Sequence, residues 1–422
     1  MSQARIQSAL SHLKPYDELD RHHQKKIEEL KLLFPYDGQL DKHLTYLKLA
    51  VLRPYLVWMP FEFVMDIQEI GRSGISIMYK GDVSLHPTEG SEDLNQTFVF
   101  KEFDTPMLQE VILGTFATYQ NSYSGSIDIV GLSKHGNTGK YLIVTAFAPG
   151  GSLAEKLDNL AEASSWRDVY SIADSISDNL ARIHSISLTH QNLHPANIVF
   201  WSRSHDSTII DIGLAKIIAN SFGGGTDNDN GIYGRLSYFP PEIFRGNPYT
   251  SASDVYCLGT ILWQLVSHVP PRGTAAILSR RDGLREDPVP GTPIEYQRII
   301  NDCWRLDPRK RPTAKDVFWR VHGLQTLMNS SVGRRTRLLH RLQDFFKLHV
   351  RDRPSLATRA YVAKRVAEHQ RELVVKQSGF STSGFTSIYP SQGQRSQYYT
   401  YHLLAEFSRQ RFPSGKSVLS HF

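Results

Sequence analysis

Thr189-His190-Gln191-Asn192-Leu193-His194-Pro195-Ala196-Asn197 ends fourteen residues before Asp211-Ile212-Gly213, and the rest of the chain is read outward from these two short stretches. Upstream, Val169, Ala173, Ile176, Leu180 and Ile183 recur at spacings of three and four, which predicts a helix with one apolar face. Ser164 or Ser165 stands where its N-cap belongs. Earlier still the pattern is different: Val64, Ile67 and Ile70, then Ile75, Ile77 and Tyr79 among glycines, then Phe98-Val99-Phe100 before Lys101. Short β-rich runs broken by Gly and polar turns predict an antiparallel sheet. After Gly150-Gly151-Ser152-Leu153 the chain becomes mainly helical, so a small sheet-rich part precedes a larger helical one.

With 422 residues, 40% of them hydrophobic, the chain exceeds one ordinary domain and suits two lobes with extensions. Cys257 and Cys303 lie far apart in segments read as helices, which argues against a disulfide scaffold and for a reducing interior. The best apolar run, Leu47 to Met65, is interrupted by Arg53, Pro54 and Glu62, and Met1-Ser2-Gln3-Ala4-Arg5 lacks a signal-peptide core. A soluble intracellular protein, cytoplasmic or nuclear, is the expectation. Residues 1–63 carry helical signals at Ile27, Leu30, Leu33 and Phe34. Between Arg334 and Lys376 twelve Lys or Arg face four acids, a surplus larger than the net +6 of the whole chain. Residues 377–400 are rich in Ser, Gly, Gln and Tyr, which favours a linker.

His190, Leu193 and Asn197 keep the registers of the protein kinase signature H-R-D-L-x-x-x-N, and Asp211-Ile212-Gly213 keeps that of D-F-G. Tyr238-Phe239-Pro240-Pro241-Glu242 resembles A-P-E, Asp254 to Gly259 resembles the D-x-x-x-x-G helix start, and Cys303-Trp304 with Arg311-Pro312 resembles the last large-lobe elements. From roughly Asp66 to Leu327 the chain thus resembles the eukaryotic-type protein kinase family. That resemblance implies an α+β fold of two lobes, a small antiparallel-sheet lobe over 64–147 and a larger helical lobe over 148–330. A helical extension over 1–63 precedes them, and a basic, helical and partly flexible one over 331–422 follows. It also implies that Glu242 pairs with Arg311.

The same resemblance implies ATP and Mg2+ as ligands in the cleft between the lobes. Lys101 would grip the ATP phosphates, and Glu110 would be its partner, on a shortened or distorted helix. Glu102 would point to the opposite strand face. On the residues alone, Glu110 reads equally as a solvated helix glutamate. Gly71 opens a degraded glycine loop, Ile70 to Gly81, with Ser73 and Ser76 at the two later glycine positions, so backbone amides approach phosphate less freely. Thr145 takes the gatekeeper position beside the adenine. Asn197 and Asp211 would bind magnesium through hard oxygens.

The departure lies at Asn192, where the family has its catalytic aspartate. An amide is neutral, and its NH₂ donates where a carboxylate accepts, so the general-base role is lost. Gln191 replaces the arginine that usually reads a phosphorylated activation loop. The chain is therefore expected to be a pseudokinase that binds ATP and magnesium and serves as a scaffold or regulator of a protein partner. The alternative is an active but slow protein kinase, because positioning and metal charge carry most of phosphoryl transfer. A third reading gives the work to the basic tail. Its cations, interspersed with Leu338, Leu339, Leu342, Phe345, Phe346 and Leu348, suit either an acidic surface or packing on the large lobe.

Overall fold

The computed structural model describes residues 10–11, 13–72, 76–85, 94–103, 108–120, 125–158, 165–202, 205–212, 236–271, 285–333 and 354–378. Six strands form the small-lobe sheet in the order β1-β5-β6-β4-β3-β2, from β1 (Val57–Trp58), β2 (Val64–Arg72), β3 (Ile77–Leu85), β4 (Leu94–Phe103), β5 (Ile129–Lys134) and β6 (Tyr141–Ala146). Strands β2 to β6 pair antiparallel, as the alternating apolar runs predict. The first 63 residues hold α1 (Arg21–Leu33) and α2 (Asp37–Tyr46), and they are not purely helical, because they also supply β1, which joins β5 in parallel. Gly131 permits that junction, since a Cβ there would lie 2.2 Å from the Val57 carbonyl oxygen.

Along β4 the period of two sorts the side chains. Phe98 and Phe100 bury one face in the sheet core, while Val99 and Lys101 turn to the cleft. Helix α3 (Leu108–Gln120) crosses behind the sheet. It has 13 residues and carries Glu110 in its first turn. The close spacing of Lys101 and Glu110 follows from how soon α3 begins after β4 ends.

The large lobe contains α4 (Leu153–Asp158), α5 (Trp166–Ser185), the hairpin β7 (Ile198–Phe200) and β8 (Ser207–Ile209), α6 (Ser251–Ser267), α7 (Ile294–Cys303) and α8 (Ala314–Gly333). The apolar face read along α5 is buried, and Ser165 is its cap, accepting from the Asp168 backbone N–H. Helix α6 is buried along nearly its whole length and holds Asp254 at its start. Arg311 donates to both oxygens of Glu242 at 2.6 and 2.7 Å, both groups being buried. Cys257 and Cys303 are buried free thiols.

Of the basic tail, α9 (Leu356–Ser378) is described, while residues 334–353, with Leu338 to Leu348, and 379–422 lie outside the described residues. Val362 of α9 is buried and Tyr361 and Val366 pack on the large-lobe core, which favours the packing reading for this part. Among the described residues no helix is long and apolar enough to cross a membrane.

Candidate active site

Three strand faces and one helix converge on the cleft between the lobes. Lys101, paired in register with Met78 on one side and Ile143 on the other, directs its Nζ to Glu110 Oε1 at 2.7 Å and to Asp211 Oδ1 at 2.6 Å. Glu110 sits in the first turn of α3 and Asp211 just after β8, so one ammonium ties together both lobes and the helix. Glu102 lies on the other strand face, where it accepts from Tyr79 and from Lys140, each at 3.1 Å. Burial works to lower the Lys101 pKa, but the charges of Asp211 and Glu110 outweigh it and hold the ammonium above its ordinary value. Burial also pushes the Glu110 carboxyl up to about 7, with Lys101 opposing the rise and Asp211 adding to it.

Asp254 anchors the loop over residues 189–197. Its buried carboxylate accepts from the backbone N–H of His190 at 2.8 Å and of Gln191 at 3.0 Å, from His184 Nε2 at 2.9 Å and from the Tyr249 hydroxyl at 2.8 Å. Burial would raise its pKa, but these donors and the neighbouring imidazoles keep it below the usual carboxylate range. His190 is buried, which lowers its pKa and favours the neutral ring. Its Nδ1 then accepts from the Asn192 N–H at 3.2 Å and its Nε2–H donates to the Ile210 carbonyl at 2.8 Å. That ring joins the loop to the strand leading into Asp211. Gln191 and Asp211 both have positive φ, 69° and 66°, conformations that non-glycine residues hold only under surrounding constraint.

Asn197 donates its side-chain N–H to the Asn192 carbonyl at 3.0 Å, and its own carbonyl accepts from the Ile210 N–H at 3.0 Å. The two oxygen donors Asn197 and Asp211 are thus held on adjoining backbone. Asn192 is buried, and its Oδ1 has no hydrogen-bond partner among the described residues.

The cleft has a volume of about 340 Å³. Ile70, Met78 and Val99 line it from the sheet, Val199 from β7, and Thr145 beside Lys101 and Asp211 at its inner end. Gly71 pairs opposite Met78 on β2 and leaves the lining to its neighbour Ile70. Ser73, Gly74 and Gly213 lie outside the described residues. Motif reading missed Val99 and Val199 in the apolar lining of the cleft, although Val99 shares a strand face with Lys101 two residues on. It also missed the anchoring role of Asp254.

The donor set fits magnesium with a nucleotide. Asn197 spends its amide N–H on the loop and keeps its carbonyl oxygen, and Asp211 keeps one oxygen besides the one facing Lys101. Among the described residues no three His, Cys, Asp or Glu side chains gather to hold a metal unaided. Phosphate oxygens and water would have to complete such a shell.

Residues 116–321 match the family of protein tyrosine and serine/threonine kinases. The chain carries a eukaryotic-type protein kinase domain. It is 25% identical over 333 residues to the probable serine/threonine-protein kinase roco5 of Dictyostelium discoideum, covering 72% of this chain and 11% of that protein. A probable LIM domain-containing serine/threonine-protein kinase of the same organism is 28% identical over 190 residues, covering 42% of this chain and 27% of that one. The probable serine/threonine-protein kinase kinX is 25% identical over 288 residues, 64% of this chain and 24% of its own length. The chain therefore spans only a minor part of the length of the relatives it matches.

Proposed function

We propose that this domain binds ATP with magnesium in the cleft and is a catalytically impaired kinase, a pseudokinase that works chiefly as a regulator of a protein partner. Asn192 carries the impairment, because it occupies the place of the general base with a group that cannot accept the substrate proton. Lys101, oriented by Glu110, is the group that would hold the phosphates, while Asn197 and Asp211 would hold the metal. When bound, magnesium neutralises charge on the transferred phosphoryl group. Asn192 can still orient a hydroxyl, but loss of a general base costs about 10² to 10⁴ in rate. Against kinase rates of about 1 to 100 per second, that leaves roughly 10⁻⁴ to 1 per second.

The intact array of Lys101, Glu110 and Asp211 also favours a second reading, a slow protein kinase acting on a protein hydroxyl. Two measurements bear on both. Thermal unfolding with Mg-ATP is expected to show stabilisation that Lys101→Met and Asp211→Ala each remove, and no shift at saturating nucleotide would sink the reading of the cleft. Transfer from radiolabelled ATP is expected to rise roughly tenfold or more in Asn192→Asp. A parent that already runs at an ordinary kinase rate would overturn the pseudokinase assignment.

A further inference from the structure

Helix α3 has no ordinary solvent face. From Gln109 to Tyr119 every residue but Gly114 is buried, Glu110 included, and no charged residue follows until Asp128. A helix apolar all round must be covered all round. Its inner side is accounted for, since Glu110 meets Lys101, Gly114 lines the cleft and Ala117 enters the large-lobe core. The outer side is covered by the first 58 residues. Val111, Ile112, Phe116 and Tyr119 share one core with Ile27, Leu40, Leu44 and Leu52 of the N-terminal segment.

Polar contacts gather at the far end of the helix. Lys14 Nζ donates to the Gln120 carbonyl at 2.6 Å, placing a cation on a last-turn carbonyl. The Tyr55 hydroxyl donates to the Lys14 carbonyl at 2.6 Å, and the Tyr119 hydroxyl donates to the Tyr55 carbonyl at 3.0 Å. Lys26 on α1 pairs with Asp128, just ahead of β5. The same apolar core also contains Ile129 and Ile143, which line the cleft. A continuous packed path thus runs from the N-terminal segment to the nucleotide site.

We infer that the N-terminal segment is a built-in clamp on α3, with Lys14, Lys26, Tyr55 and Tyr119 acting as positioning residues that keep Glu110 against Lys101. The outer face of α3 is occupied by the chain itself, so the pair is held by contacts within the chain. The link to phosphate binding rests on the reading of the cleft given above, whereas the clamp itself does not.

The test uses the full chain carrying Lys14→Met, Lys26→Met and Tyr119→Phe together, substitutions that keep side-chain bulk. Should the triple variant fail to fold, Lys14→Met alone serves, its ammonium being only partly buried. Amide exchange over residues 108–120 is expected to quicken about tenfold while α6 is unchanged. ATP affinity is expected to fall about tenfold with adenosine affinity unchanged, because only the phosphates need Lys101. Equal quickening in α3 and α6, or none in α3, would overturn the clamp. Quickening confined to α3 with ATP and adenosine weakened alike would overturn its coupling to Lys101. A parent that binds neither ligand would overturn the nucleotide reading and leave the clamp to be decided by exchange.

Discussion

Lys101 supplies one positive charge to two carboxylates, the buried Glu110 and the half-buried Asp211, and this imbalance makes the two ends of the array unequal to mutation. Glu110→Gln removes the excess negative charge and keeps an oxygen for Lys101, so stability is expected to change by less than about 1 kcal/mol. Lys101→Met leaves two carboxylates facing each other without a cation and is expected to cost about 3 kcal/mol or more. Urea unfolding of the two variants without nucleotide measures the difference, and equal losses would contradict it. Asn192 matters in the opposite way. It changes little in shape relative to aspartate, so the loop keeps its path through Asp254 and His190, and under the proposed function its effect falls on chemistry.

Elements are held to one another at a few points where a small residue is required. Gly291 has φ 80°, and a Cβ there would meet Ser355 Oγ at 2.3 Å and Thr358 Oγ1 at 2.4 Å. Thr358 in turn donates to the Pro290 carbonyl at 2.7 Å, so this contact seats the start of α9 on the large lobe. Gly291→Ala is expected to cost about 1 to 3 kcal/mol and to loosen α9. Limited proteolysis would then cut near residues 354–378 earlier than in the parent while α6 stays protected; an unchanged cleavage pattern would count against the docking. The basic residues of α9 thus belong at least partly to a packed helix, and Arg365 already pairs with Glu368 at 3.0 Å.

Across the whole molecule, buried histidines tie stability to pH. Burial lowers His268 to about 4 from an ordinary 6.5, and His190 is lowered for the same reason. Both are neutral in the fold and charged in the unfolded chain below pH 6.5, so the unfolded state binds more protons. Their stabilisation is complete above pH 6.5 and declines as pH falls below it; for His268 it is lost as pH falls toward 4, about 3 kcal/mol in all. Glu110 titrates in the opposite sense over the same range, since its raised pKa lets the fold take up a proton first. The informative quantity is therefore the difference between parent and His268→Asn, a residue that tolerates the φ of 57° at that position. The urea midpoint of the parent should fall further than that of the variant between pH 7 and 4.5. Parallel slopes would remove His268 as a source.

What the sequence determined by itself was local or carried by spacing. The two-period runs of the sheet, the apolar face of α5 and a cap at Ser164 or Ser165 follow from neighbours a few residues apart, where backbone geometry repeats, and the register of His190, Asn197 and Asp211 follows from fixed spacing. The kinase domain was legible for that reason. The strand period already set Glu102 on the face opposite Lys101 and left Glu110 as its expected partner; tertiary structure alone decided that Asp211, 110 positions away, meets the same ammonium. It alone made the N-terminal segment part of the small lobe, through β1 beside Gly131 and Lys14 on the end of α3. A chain contact between residues 106 positions apart leaves no periodic trace in either segment. The cover of α3 likewise comes from residues far away in the sequence, which only the fold brings onto it.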